Sequence, residues 1–122
     1  MSANASKAEE LENRLILFAA AIVDLTTKLP HTIQGRHISN QILRSGTATA
    51  SNYGEARGAE SRSDFVHKLR IVLKELNETA VWLKLIQQTF LFPADKIVAL
   101  IAENRELCRI IAASIRTARS VQ

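Results

Sequence analysis

The sequence predicts an all-α protein: an antiparallel up-down-up-down four-helix bundle with spare apolar surface for self-association. Three observations carry this expectation. Apolar residues recur at alternating steps of three and four along four segments. The helix breakers fall between those segments. Two of the segments carry apolar residues on a second face as well. Composition agrees. The chain has 122 residues, enough for one domain with a real core. Hydrophobic residues make up 47% and charged residues 23%, which excludes disorder for most of it. Four Gly, two Pro and 5% aromatics are too few for the many turns and strands of an all-β domain.

The first helix is expected from Ser6, with residues 1–5 a disordered N-terminal segment and 6–120 a single domain. Ser6 and Glu9 have capping-box spacing, in which a hydroxyl and a carboxylate satisfy orphan backbone N–H groups. Leu11, Leu15, Phe18, Ile22, Leu25 and Leu29 form its stripe. Pro30 ends it, because proline bars the preceding residue from the α region and supplies no N–H. Residues 30–36 read as a loop ending near Gly35. The second helix is expected from about His37 to about Arg57, with the stripe Ile38, Ile42, Ser45, Thr49, Tyr53 and Ala56. Gly46 and Gly54 weaken it on propensity, so tertiary contact must hold it. Gly58 ends it. Ser61 and Asp64 repeat the cap spacing and open the third helix, whose stripe is Phe65, Leu69, Val72, Leu76, Thr79, Leu83, Ile86 and Phe90. Pro93 suits the first turn of the fourth helix. That helix runs to about Arg119 with Ile97, Ile101, Asn104, Cys108, Ile111, Ile115 and Ala118. The repeat of 3.5 and the short connections favour long helices crossing at shallow angles.

The third helix carries Ile71, Val81, Trp82 and Leu85 roughly opposite its main stripe, and the first carries Ile16, Ala20 and Val23. A surface helix should be polar there. Either these residues flank a wide core, or they cover one another between copies. The second reading is the one the pattern favours, with Trp82 as anchor.

Motifs that would carry chemistry are scarce, and the chain is read as a non-enzyme. His31, His37 and His67 are scattered, and no Glu-x-x-His pair, phosphate-binding loop or dinucleotide fingerprint occurs. No metal or cofactor is expected. The one Cys, Cys108, excludes an internal disulfide and reads as a small buried hydrophobe. The longest apolar run, Leu15 to Val23, is nine residues, against the ~20 of a membrane span, so no membrane partner is expected. With no secretory signal in Met1 to Glu12, the cytoplasm is the expected compartment.

Two polar groups stand out. Gln41, Arg44, Asn52 and Glu55 lie beside the apolar stripe of the second helix, and Glu75 and Glu78 lie one turn apart on the third. Arg44 is placed to bridge either carboxylate. A network that fixes helix register is the first reading; a ligand or RNA contact is the alternative. Arg105, Arg109, Arg116 and Arg119 share one sector of the fourth helix, a ridge of about 21 Å. A row of charges on a helix is ordinarily a solvated face, yet a ridge of that length can follow phosphates. The chain carries a net charge of +4, with a pI near 9.6.

The segment Leu29 to Thr79 resembles the bacterial four-helix-bundle family first noticed in insertions within large-subunit ribosomal RNA genes. The resemblance runs through Leu29-Pro30, Gln41, Arg44-Ser45, Asn52-Tyr53-Gly54-Glu55, Ser61-Arg62-Ser63-Asp64-Phe65, Glu75-Leu76 and Glu78-Thr79. Members commonly show Asn-Ile-Ala-Glu-Gly where this chain has Asn52-Tyr53-Gly54-Glu55-Ala56. The resemblance implies an antiparallel bundle assembled into a ring, a homopentamer. It also implies kinship with the accessory subunit of diversity-generating retroelements, which binds nucleic acid and a reverse transcriptase through a basic surface. Two functions are therefore expected as rivals: a nucleic-acid-associated assembly binding RNA or DNA, and a scaffold for a protein partner.

Overall fold

The structure, a computed structural model, describes residues 3–120, with side chains over 7–120. Four helices follow one another: α1 (Ala3–Lys28), α2 (Ile33–Arg57), α3 (Arg62–Gln88) and α4 (Ala94–Ser120). Consecutive helices pack along their lengths, whereas α1 and α4 meet over a much shorter stretch. The short connections make this an up-down bundle, as the periodicity predicts.

The core is the set of stripes turned inward. Leu15, Ile22 and Leu25 of α1, Ile42 of α2, Leu69, Val72, Leu76, Leu83 and Ile86 of α3, and Ile97, Leu107 and Ile111 of α4 are fully buried. α2 is held as its composition demands, by contact. Its buried face includes Ser45, Gly46 and Thr49, and an added Cβ at Gly46 would lie 2.8 Å from Ile22 Cγ2. The two hydroxyls do not go unsatisfied. Thr49 Oγ1 donates to the Gly46 carbonyl at 2.7 Å, and the Ser45 and Thr79 hydroxyls meet at 2.9 Å. Asn104, buried in α4, donates to the Leu76 carbonyl at 3.1 Å.

Several boundaries differ from the sequence reading. α1 begins at Ala3, so it takes in residues 3–5, and Ser6 is not its cap; Met1 and Ser2 lie outside the described residues. No breaker stands before Ser6, and alanine favours the helix. α2 begins at Ile33, capped by Thr32, whose hydroxyl accepts from the Gly35 amide at 3.0 Å. Gly35 is therefore a first-turn residue rather than a loop end. It is glycine because a Cβ there would sit 1.9 Å from the Pro30 carbonyl oxygen. The Ser61 cap of α3 forms as expected, accepting from the Asp64 amide at 3.0 Å. The Asp64 carboxylate reaches the Glu60 amide, at 3.3 Å, rather than that of Ser61.

Phe90 is not a core residue. α3 ends at Gln88, the Leu91 amide bonds back to the Ile86 carbonyl, and Phe90 adopts φ 57°. This closure places a residue in the left-handed region, usually glycine. It turns the phenyl ring out, leaving it 85% exposed, while Leu91 and Phe92 pack on the core instead. On α4, Leu107 is fully buried, whereas Ile101 and Cys108 are half-buried. A helix turns 3.6 residues, not 3.5, so the inward column drifts away from a strict 3.5 stripe.

Candidate nucleic-acid interface

Arg105, Arg109, Arg116 and Arg119 all lie exposed on α4. Successive residues of a helix are about 100° apart, which keeps the first three within about 40° of one another. Arg109 pairs with Glu106 within the helix at 3.2 Å. Among the described residues, the other three make no ion pair. The ridge does not stand alone. Arg105 borders a depression shared with Lys84, and Arg119 borders another shared with Arg62. Lys84 and Arg62 belong to α3 and are absent from the ridge that the sequence predicts. Only the register of α3 against α4 brings them alongside, and nothing in the spacing of either helix shows it.

The polar group on α2 and α3 divides in two. Arg44 bridges both carboxylates: Nη1 lies 3.4 Å from Glu75 Oε1, and Nη2 donates to Glu78 Oε2. Trp82 Nε1 donates a second contact to the Glu78 carboxylate at 3.2 Å. The Arg44 guanidinium, and then the Trp82 indole, hold the Glu78 carboxyl below the usual glutamate range. Glu55 instead pairs with Lys68 of α3 at 3.0 Å, a partner the sequence does not indicate. Asn52 turns to its own helix, donating to the Ala48 carbonyl at 2.8 Å, and Gln41 is half-buried. Arg44, Glu75 and Glu78 are thus brought together as expected, while Asn52 and Glu55 stand apart from them.

The second apolar face is present on the surface. Val81 is 61% exposed and Ile16 48%, with Val23 and Leu85 close to 40%. Ile71 and Trp82 are half-buried, and Trp82 lies on the flank of α3 that faces α2. There the His37 ring meets Trp82 edge-on at 5.9 Å. Trp82 is therefore part of the subunit's own packing before it is an anchor for anything else. Cys108 is half-buried beside Asn77 and Asn104, and burial pushes its thiol up, away from nucleophile character. Among the described residues no cluster of metal-binding side chains occurs, and no helix is long and apolar enough to cross a membrane.

No curated protein matches the chain. A solved structure from Bacteroides thetaiotaomicron, a protein of unknown function from the S23 ribosomal protein family, is similar at 34% identity with a TM-score of 0.84. The likeness covers 90% of this chain and 98% of that one. The family model described as 23S rRNA-intervening sequence protein matches residues 8–113, which span all four helices. The bundle and its arginine-bearing fourth helix are therefore those of a member of the 23S rRNA-intervening sequence protein family.

Proposed function

We propose that this chain is a non-enzymatic bundle protein that assembles into a ring of identical subunits and binds RNA or DNA through the α4 ridge. The observation that carries the nucleic-acid reading is the row Arg105, Arg116 and Arg119, exposed, unpaired among the described residues, and widened by Lys84 and Arg62 of α3. Phosphate recognition needs cations displayed at roughly the spacing of a backbone and not consumed by carboxylates. Assembly would repeat the ridge around an axis, which multiplies a modest charge per chain. The apolar residues of α1 and those of α3 support self-association of the head-to-tail kind. They belong to diagonal helices of the bundle, so a patch on one copy would meet a different patch on the next. The family resemblance makes five the expected number of copies.

Binding of a labelled RNA and a labelled duplex DNA, followed by electrophoretic shift across a salt series, tests this reading. Affinity should fall steeply with salt, with a log–log slope of about −0.7 to −0.9 per phosphate neutralised. Arg109→Glu combined with Arg116→Glu should flatten that slope and weaken binding to both nucleic acids. Absence of any shift at low salt would favour the rival role, a scaffold for a protein partner. Light scattering at micromolar concentration tests the assembly, and a monomer there would remove it.

A further inference from the structure

The arginine ridge occupies the outer sector of α4, but the sector facing α1 is built differently. The Arg14–Glu103 bridge, bidentate at 2.8 Å, ties α1 to α4 near mid-length. Toward the start of α1 and the end of α4, a groove of about 840 Å³ opens between the two helices. Among the described residues, Phe65, Ile110, Ala113 and Ala118 give it an apolar floor. Ile110, Ala113, Ser114 and Thr117 follow at steps of three, one and three, the spacing of one face of a helix. The Ser114 hydroxyl is turned back to the Ile110 carbonyl at 3.0 Å, so it offers the groove little polarity. Small side chains in this stretch permit close approach of another helix axis.

The edges of the groove are basic. Lys7 stands on the α1 side and Arg62 at the α3 end. Arg109 and Arg116 border the outer side of Ile110 and Ala113. The acidic residues nearby are Glu10 and Glu106; pairing removes both Glu106 and Arg109 from the balance, which leaves Lys7, Arg62 and Arg116 against Glu10. An apolar, helix-spaced floor with cations on both edges calls for an apolar stripe flanked by carboxylates. The floor offers phosphates few donors, since the Ser114 hydroxyl is spent within its own helix and Thr117 is the other hydroxyl in the lining.

We propose that the α1–α4 groove is a docking site for an acidic amphipathic helix of a partner protein, with its apolar floor outside the phosphate-binding ridge and Arg62 and Arg116 shared with that ridge at its edges. The full chain is titrated against a fluorescein-labelled helical peptide of about 18 residues, five turns, with Leu on one stripe and Glu on both flanks. A second peptide carries Lys in place of Glu. Anisotropy should show saturable binding of the acidic peptide, and the basic one should bind at least roughly tenfold more weakly. Ala113→Trp, at an exposed position, fills the groove without changing charge, and Lys7→Glu reverses one edge. Each should weaken the acidic peptide, and Ala113→Trp, which keeps every ridge cation, should weaken RNA binding by a smaller factor than peptide binding. Equal binding of both peptides, or indifference to both substitutions, overturns the proposal. So does a loss of RNA binding on Ala113→Trp at least as large as the loss of peptide binding, which would assign the groove to nucleic acid. A fall in molar mass on Ala113→Trp would assign it to a second copy of this chain and overturn it too.

Discussion

Gly46 and Gly54 lie two turns apart in α2, and the same alanine substitution has opposite consequences at the two. A Cβ added at Gly46 would stand 2.8 Å from Ile22 Cγ2, 3.0 Å from its Cγ1 and 3.1 Å from its Cβ. Ile22 is fully buried, and its branched Cβ leaves one preferred rotamer in a helix, so it has no easy way to yield. Overpacking of this kind costs about 1–3 kcal/mol. Replacing glycine inside a helix contributes about 1 kcal/mol in the other direction. Gly46→Ala should therefore be destabilising by roughly 0–2 kcal/mol. At Gly54 the added Cβ meets only Glu12 Oε2, at 3.7 Å, an ordinary contact. Gly54→Ala should be stabilising by about 0.5–1 kcal/mol. The family element commonly carries alanine at this position. Urea midpoints at one fixed protein concentration, with unchanged m, measure both. A double-mutant cycle with Ile22→Ala adds the decisive term. Ile22→Ala alone should cost about 2–5 kcal/mol, and less in the Gly46→Ala background, where the added methyl fills part of the space, a coupling of about 1 kcal/mol or more. If Gly46→Ala stabilises as much as Gly54→Ala and the cycle is additive, the close approach of α1 and α2 at this point is wrong.

Leu76 is fully buried at the α3 midpoint, so Leu76→Ala should lower stability by about 2–5 kcal/mol in the same urea assay, and a loss below about 1 kcal/mol would show that it is not core. The Glu78 carboxyl, held low by Arg44, should stabilise the fold above about pH 4.3, the ordinary glutamate value. That contribution is lost as pH falls through the lower, folded value, and it weakens with salt because the pair is partly exposed. Trp82 is the single tryptophan and donates to that carboxylate, so its emission should step in this acid range. Glu78→Gln should abolish the step, and persistence of the step in that variant refutes the assignment.

The architecture is legible in the sequence because each stripe is long and each break is chemically explicit. The α3 column from Leu69 to Ile86 is buried residue for residue, since Ser61 and the turn after Gln88 bound it. The discrepancies are local. Gly35 reads as a breaker in sequence but is a packing residue against Pro30. Phe90 continues the apolar rhythm of α3 after the helix has closed, because hydrophobic spacing cannot report a change of backbone sign. A strict alternation of steps selects Cys108 in place of Leu107, because it ignores the drift of a real helix. The Arg44 bridge is readable, as both carboxylates lie one turn apart on a neighbouring helix. Lys68, Lys84 and Arg62 are not, since each depends on how far one helix is slid along another.

That sliding is the property the α2–α3 seam controls. α1 is fastened mainly to α2, and α4 mainly to α3, so the bundle behaves as two helical hairpins joined along one seam. Of the positions that carry the family resemblance, Arg44, Ser45, Glu55, Glu75, Glu78 and Thr79 make polar contacts across that seam. A slip of one turn, about 5.4 Å, would leave Arg44 able to reach at most one of its two carboxylates. It would also part the buried Ser45 and Thr79 hydroxyls, which now meet at 2.9 Å. Apolar side chains alone penalise such a slip weakly, because a stripe moved by one turn still faces a stripe. The polar pairs penalise it by leaving donors and acceptors without partners. On this account the charged group on α2 and α3 fixes register, and through register it decides whether Lys84 and Arg62 stand beside the α4 arginines or away from them. These seam residues would then act on any surface function at a distance, by setting which cations share a face.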